Sequence, residues 1–108
     1  MVKYHVMYPY KEGTRFDIDY YRDQHMAKAR AALVPVGLVG TTIDKGVDGG
    51  GRGKPPAYHC IATMLFNSRE EMKAAFAKAD PQVMQALLED IPNYTDVQPV
   101  MMVTESAD

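Results

Sequence analysis

Residues 57–66, AYHCIATMLF, form an apolar run whose length and alternation predict a β-strand. Because neighbouring side chains of a strand point to opposite faces, Cys60 and Met64 would lie on one face and Ile61 and Leu65 on the other. Both faces of this strand are therefore largely apolar, and a sheet that contains it needs a cover on each side. This requirement constrains the fold more than any other feature of the chain.

The patterns on either side of this run give the order of the elements. Strand-like patterns cover residues 2–8, 36–45, 57–66 and 94–105. A helix begins after the N-cap residue Asp17 and ends near Leu33, before Pro35, and a second helical region has two pieces that begin at Ser68 and Asp80. The order βαββαβ predicts the α+β class and a ferredoxin-like fold, a four-stranded antiparallel sheet with helices on one face.

The apolar sheet has a consequence for assembly. With 108 residues, 1–108 is expected to form a single domain. Two helices cover only one face of a four-stranded sheet, and an uncovered apolar face of that size exceeds the few hundred Å² that a monomer exposes. A second copy packed sheet to sheet would cover it, so we predict a homodimer.

Charge and composition exclude several classes of function. The chain has 12 basic and 14 acidic residues, a net charge of −2, and so lacks the positive field that a nucleic-acid partner requires. No apolar stretch approaches the ~20 residues that cross a bilayer, and the N-terminus does not resemble a secretory signal, so we expect no membrane association. The single cysteine, Cys60, cannot form an intrachain disulfide, which favours the cytoplasm.

Residues 46–56, GVDGGGRGKPP, carry five glycines and two prolines and predict a mobile surface loop between neighbouring strands. This segment is not a phosphate-binding loop, because Pro55 follows Lys54 where that motif needs Ser or Thr.

His25 is the residue most suited to chemistry. It lies one helical turn after Tyr21, so both side chains share the face that turns toward the sheet. A neutral imidazole in a partly apolar cleft can accept or give a proton, and Tyr21 would orient it or bind a substrate oxygen. The alternative is a buried histidine that donates to a backbone carbonyl and serves only packing.

Further pocket residues are expected on the strands. Tyr8 ends a strand near the start of the first helix, and Met7 and Met64 are soft, unbranched side chains that suit an adaptable apolar pocket, although such residues more often fill the core or a dimer interface. No spacing among the three histidines and Cys60 matches a metal-binding motif, so we expect no metal.

One stretch of the sequence resembles a known family. MYPY...FDIDYYRDQHMAKARAAL, with Tyr8-Pro9, Phe16-Asp17, Tyr20-Tyr21 and His25-Met26, is similar to the opening of EthD proteins, named for ethyl tert-butyl ether degradation. The later stretches AYHCIATMLFNSREEMKAAF and NYTDVQPVMMVTE are similar to the second half of the family. The resemblance therefore covers nearly the whole chain.

The resemblance implies a dimeric α+β barrel that binds a small apolar organic compound bearing an oxygen. It implies a cofactor-independent enzyme, or an accessory protein of an oxidative degradation pathway, with His25 as acid/base; the reaction class would be that of an oxidoreductase of the monooxygenase type or of an isomerase or cyclase. A methylmuconolactone isomerase similar to the family uses a pocket cysteine, and Cys60 is either its counterpart or a plain buried cysteine. A non-catalytic metabolite-binding or stress-related dimer and a haem-handling protein remain alternatives.

Overall fold

The computed structural model describes all residues, 1–108. The strands are β1 (Val2–Pro9), β2 (Gly40–Lys45), β3 (Tyr58–Phe66) and β4 (Val100–Glu105). The helical segments are α1 (Ile18–Tyr20), a π-helical turn (Tyr21–His25), α2 (Met26–Leu33), a 3₁₀ turn (Val34–Val36), α3 (Arg69–Lys78), α4 (Pro81–Asp90) and a 3₁₀ turn (Ile91–Asn93). This order confirms the predicted βαββαβ arrangement.

The four strands form one antiparallel sheet in the order β2-β3-β1-β4. β1 and β3 occupy the centre, and Tyr4 lies opposite Met64 on β3 and Val103 on β4. Residues that lie opposite one another share a face of the sheet. The predicted α+β, ferredoxin-like fold class is therefore correct.

Local signals start and stop the helices as the sequence predicts. The side chain of Asp17 accepts from the backbone N–H of Tyr20 at 3.1 Å, and the caps Ser68 and Asp80 accept from backbone N–H groups in the same way at 3.1 and 2.9 Å. α2 ends at Leu33 because Pro35 disfavours further α-helix in the residue before it.

Two strands are shorter than the sequence patterns predict. The strand predicted from residue 36 begins at Gly40, since the segment around Pro35 forms a 3₁₀ turn and Gly37 then takes φ +133°. The strand predicted from residue 94 begins at Val100. Tyr94 and Thr95 are buried instead beneath the first helical segment, where Thr95 pairs with Phe16 in an isolated bridge.

The core lies between the helices and one face of the sheet, here called the inner face. It includes Val2, Tyr8, Cys60, Met64 and Phe66 from the strands. Their alternate neighbours form the other face, here called the outer face, which no helix of the chain covers. No helix is both long and apolar enough to cross a membrane.

The outer face is apolar but not uniformly so. Met7 lies on it opposite Ile61, and both are at least partly buried. His5 sits at its centre, where its two ring nitrogens contact the hydroxyls of Thr63 at 3.0 Å and Thr104 at 2.8 Å. At its edge, β4 places Val100 and Met102 on this face, and they are 47% and 50% exposed.

Candidate functional site

A cavity of about 220 Å³ lies between the inner face of the sheet and the helices. Sixteen residues line it, and 14 of them are hydrophobic. They are Tyr4, Val6, Tyr8, Tyr21, His25, Met26, Ala29, Leu33, Met64, Phe76, Met84, Leu87, Leu88, Ile91, Pro99 and Met101. An apolar enclosure with few polar groups is typical of small-molecule sites.

The mouth of the cavity is marked by two lining residues that remain exposed. Leu88 on α4 is 63% exposed and Met101 on β4 is 53% exposed, whereas the other lining residues are buried or partly buried. A ligand would therefore enter between α4 and the edge strand β4.

His25 forms the polar part of the wall. Its Nδ1 lies 3.0 Å from Oδ2 of Asp90, and the two side chains are only 10% and 11% exposed. The partner is thus a carboxylate and not the backbone carbonyl that the packing alternative required. A buried imidazole held by a carboxylate is the arrangement by which many enzymes orient a catalytic histidine.

A π-helical turn carries His25 to this position. The backbone N–H of Met26 donates to the carbonyl of Tyr21, five residues earlier, and the turn is flanked by α-helix on both sides. A π turn inserts one extra residue and rotates the side chains that follow, and such turns are frequent at functional sites. The predicted face of Tyr21 and His25 does turn toward the sheet.

Asp90 is itself held in place by two further side chains. Its Oδ1 accepts from the hydroxyl of Tyr20 at 2.6 Å and from the side-chain amide of Asn93 at 2.9 Å. Tyr20 precedes the π turn and Asn93 follows α4, so the carboxylate connects the first helical segment to the end of α4.

Sequence reasoning missed Asp90, although a signal was present. Asp90 is the last residue of α4, where the negative end of the helix dipole disfavours a carboxylate. An acidic residue at a helix C-terminus therefore needs a compensating partner, and here His25, Tyr20 and Asn93 supply it.

The charges of the pair follow from their surroundings. Burial lowers the pKa of His25 below its usual 6.5, although the hydrogen bond and charge of Asp90 oppose this. Burial alone would raise the pKa of Asp90, but hydrogen bonds from Asn93, Tyr20 and His25 together lower it. Near neutral pH the imidazole is therefore neutral and the carboxylate is ionised.

This charge state assigns the tautomer of the imidazole. An ionised carboxylate only accepts hydrogen bonds, so Nδ1 of His25 carries the proton and Nε2 carries a free lone pair. Nε2 has no hydrogen-bond partner in the chain, and no side-chain nitrogen or oxygen is both buried and unpartnered. Nε2 is consequently accessible and can act as a base.

A cluster of tyrosines packs against the imidazole ring of His25. The ring of Tyr21 stacks on His25 with a centroid distance of 5.2 Å, and Tyr94 meets it edge-on at 4.8 Å. Tyr8 and Tyr94 share a hydrogen bond of 2.7 Å between their hydroxyls. Burial raises the pKa of Tyr21, and the nearby Tyr8 hydroxyl and Cys60 thiol raise it further, so the Tyr21 hydroxyl keeps its proton.

The structure brings together four of the six residues predicted for the site. His25, Tyr21, Tyr8 and Met64 line the cavity. Met7 does not, because it follows Val6 and precedes Tyr8 on β1 and alternation places it on the outer face. Met7 therefore lies with the core or interface alternative that its sequence pattern also allowed.

Cys60 lies on the inner face but does not reach the cavity. It is 0% exposed, and burial raises the pKa of its thiol to about 12. A thiol that stays protonated and enclosed is a poor nucleophile, and in this structure Cys60 packs as a small apolar side chain.

The structure brings no three His, Cys, Asp or Glu side chains together in a group that could hold a metal ion. His5, His25 and His59 instead contact threonine hydroxyls or a carboxylate.

The fold and this cavity define a class: small α+β proteins with a ferredoxin-like sheet and a ligand-sized cavity beneath the helices. Residues 14–98 match the EthD domain. An EthD-like protein from Ralstonia eutropha JMP134 is 37% identical, with 99% of this chain and 92% of that chain covered and a TM-score of 0.85. The chain belongs to the EthD family.

More distant structures share the fold. An ethyl tert-butyl ether d (EthD) family protein from Bacillus halodurans C-125 is 17% identical with a TM-score of 0.68, covering 98% of each chain. A dimeric ferredoxin-like protein from Jannaschia sp. CCS1 is 19% identical with a TM-score of 0.59, covering 98% of this chain and 100% of that one. No curated protein matches the sequence.

Proposed function

We propose that this protein is a cofactor-independent enzyme that moves a proton on a small, mostly apolar compound bearing a ketone, phenol or lactone oxygen. The observation that carries the proposal is His25, which lines an otherwise apolar cavity and is held by Asp90 behind it at 3.0 Å. Burying an ionisable pair of this kind costs desolvation free energy, and such pairs occur often at functional sites. The proposal makes His25 the catalytic base and Asp90 and Tyr21 its positioning residues.

The proposed step is proton abstraction beside a carbonyl. Nε2 of His25 takes a proton from the carbon next to the carbonyl, and the electron pair of the broken C–H bond moves to the carbonyl oxygen to give an enolate. The imidazolium that forms lies against the ionised Asp90, which offsets its charge. Isomerisation, cyclisation and cofactor-free oxygenation all begin with such a step, so one base suits each reaction class, including a role in oxidative degradation.

The size of the cavity restricts the substrate. A dry engineered cavity of about 150 Å³ admits benzene, and this cavity measures about 220 Å³. It therefore suits a compound with one ring and a short substituent. The hydrophobic lining favours an uncharged ligand, since burying a charge without a partner is unfavourable.

Dimerisation belongs to the same proposal. The outer face carries Met7, Ile61 and the half-exposed Val100 and Met102 of β4, and no element of the chain covers it. A second copy packed against this face would complete a dimeric α+β barrel and would leave the cavity mouth on the other side of the sheet.

Exchange of the methyl protons of acetophenone in D₂O tests the proposed step, because each abstraction lets deuterium replace a proton on the carbon beside the carbonyl. We expect the protein to accelerate this exchange above the buffer rate, as followed by ¹H NMR. His25→Gln should reduce the acceleration by roughly a hundredfold or more, the usual contribution of a general base.

His59→Gln is the matched control, because His59 does not line the cavity and its Nε2 contacts Thr14 at 2.8 Å. It should leave exchange unchanged. If His25→Gln exchanges as fast as the original protein, His25 is not the base. If acetophenone binds but exchange never exceeds the buffer rate, the protein binds its ligand without this chemistry.

A further inference from the structure

Tyr4 differs from the other tyrosines around the cavity. It lies on the inner face of β1, four residues before Tyr8, and its ring packs on Phe76 at 5.0 Å. Its side chain lines the cavity and is only partly buried. The hydroxyl of Tyr4 makes no hydrogen bond within the chain. Because every fully buried side-chain nitrogen and oxygen has a partner, this hydroxyl is not fully buried.

The remaining tyrosine hydroxyls near the cavity are already engaged or enclosed. Tyr8 and Tyr94 bond each other, and Tyr20 donates to Asp90. Tyr8, Tyr21 and Tyr94 are at most 2% exposed. Tyr4 therefore presents the one tyrosine hydroxyl of the cavity wall that is both partly accessible and without a partner.

The helix and the strand place Tyr4 and His25 at a distance that suits a ligand. The ring of Tyr21 packs on that of Tyr8 at 5.3 Å, which sets the two elements level there. From that point the helical segment runs antiparallel to β1. The carbonyl of Leu33, at the end of α2, accepts from the backbone N–H of Leu38. The next residue, Val39, donates to Leu65, which lies opposite Lys3 at the start of β1.

The spacing can be estimated from ideal geometry. Tyr4 lies four strand residues from Tyr8, about 13 Å, and His25 lies four helical residues from Tyr21, at most about 6 Å because a π turn rises less per residue than an α-helix. The two groups are thus roughly 7 Å apart along the strand. Because Tyr4 and His25 line the same cavity of about 220 Å³, one small ring compound can contact both side chains at once.

We propose that the hydroxyl of Tyr4 donates a hydrogen bond to the oxygen of the ligand while Nε2 of His25 faces the adjacent C–H bond. This inference rests on the proposed function and extends it, since it defines the ligand as a compound with an acceptor oxygen next to an acidic carbon. The same hydrogen bond strengthens as charge moves onto that oxygen in the enolate, so Tyr4 both orients the ligand and stabilises the product of proton abstraction.

The protonation state of Tyr4 fits this role. Burial raises its pKa above the usual 10.0, so the hydroxyl keeps its proton at all ordinary pH values and acts as a donor. The hydroxyl therefore donates a hydrogen bond to the ligand oxygen without giving up its proton, and the proton transfer itself is assigned to His25.

Two isosteric probes separate a hydrogen bond to oxygen from apolar packing. Acetophenone carries a carbonyl where α-methylstyrene carries a CH₂ group, and the two molecules otherwise match in shape. In NMR titrations we expect Tyr4→Phe to weaken acetophenone binding roughly three- to tenfold, the value of one net hydrogen bond. Binding of α-methylstyrene should not change, because phenylalanine preserves the ring that packs on Phe76.

Tyr58→Phe is the matched control, since Tyr58 is a half-buried strand tyrosine that does not line this cavity. It should affect neither probe. In the deuterium-exchange assay Tyr4→Phe should slow exchange by at least about tenfold beyond its effect on affinity, because the donor also stabilises the enolate.

The outcomes distinguish this inference from the proposed function. If Tyr4→Phe leaves acetophenone affinity and exchange unchanged while His25→Gln abolishes exchange, the assignment of Tyr4 is overturned and the proposed function stands. If neither probe binds the original protein at millimolar concentration, the proposed ligand class fails and the role of Tyr4 fails with it.

Discussion

At the residue scale, the chemistry of the site depends on a difference in hydrogen bonding between two buried groups. His25 has one polar partner, so burial dominates and the imidazole stays neutral. Asp90 receives three side-chain hydrogen bonds, so the carboxylate stays ionised although it is buried too. The result is a lone pair at Nε2 with a fixed tautomer, which neither residue would provide alone and which the proposed mechanism uses as its base.

This difference predicts the pH dependence of the site. The pKa of His25 lies below 6.5, so deuterium exchange should be constant above about pH 6.5 and fall in acid as the imidazole is protonated. Asp90→Asn should lower the pKa of His25 further, because it removes the charge that raises it, and should also slow exchange at neutral pH. An NMR titration of the imidazole ring measures the shift.

Asp96→Asn provides the control for this titration. The charge of Asp96 raises the pKa of His59, so this variant should move His59 and not His25. The proposed coupling is contradicted if Asp90→Asn leaves the His25 titration where it was.

The lowered pKa of His25 also affects folding stability. Between the pKa of His25 in the folded chain and its usual value of 6.5, the unfolded chain binds more protons than the folded one. This contribution to stability is therefore fully present above about pH 6.5 and is lost as the pH falls below it.

At the element scale, the first helical segment positions the site. Asp17 starts the segment, Phe16 packs on Tyr21 at 5.1 Å, and the π turn then directs His25 toward Asp90. Since the segment begins with only three α-helical residues before the π turn, its start depends on the cap more than a long helix would.

The cap predicts a measurable loss of stability. Asp17→Ala removes the acceptor for the N–H of Tyr20 and should lower the free energy of unfolding by about 1 kcal/mol in urea denaturation. Asp17→Asn keeps an equally good cap and should retain most of that stability. Equal losses in both variants would show that the charge of Asp17, and not its hydrogen bond, is what matters.

At the scale of the whole molecule, the two faces of the sheet serve different purposes. The inner face carries the core and the cavity, whereas the outer face has no cover within the chain. His5 and its two threonine partners add polar groups to the outer face, but those groups satisfy one another and need no water. The centre of the face can therefore be buried without an unpaired polar atom, although the exposed charged residues Lys3 and Asp44 also lie on this face.

Sedimentation equilibrium tests the homodimer. We expect twice the mass of one chain at micromolar concentration. Met102→Lys places a charge on the outer face at a position that is 50% exposed in one chain, so it should give monomers without unfolding them. Val47→Lys, in the loop at a position 80% exposed, should remain dimeric. A single-chain mass for the original protein would refute the dimer.

Much of the fold was predictable because its signals are local. Caps at Asp17, Ser68 and Asp80 and the stop at Pro35 act within a few residues, and alternation assigned Cys60 and Met64 to one face of β3 correctly. The late starts of β2 and β4 were not predictable in this way. Whether an apolar residue such as Tyr94 joins a strand or packs under a helix depends on partners distant in sequence.

The sequence by itself determined the order of elements, the face shared by Tyr21 and His25 and the family of the protein, because periodicity, capping and family motifs are written along the chain. Only the tertiary structure decided that Asp90, 65 residues away from His25, would become its partner. It likewise decided that Tyr4 would line the cavity with a free hydroxyl while Met7 and Cys60 would not. The physical reason is that a site is made by which helices pack on which strands, and packing joins residues that no local pattern connects.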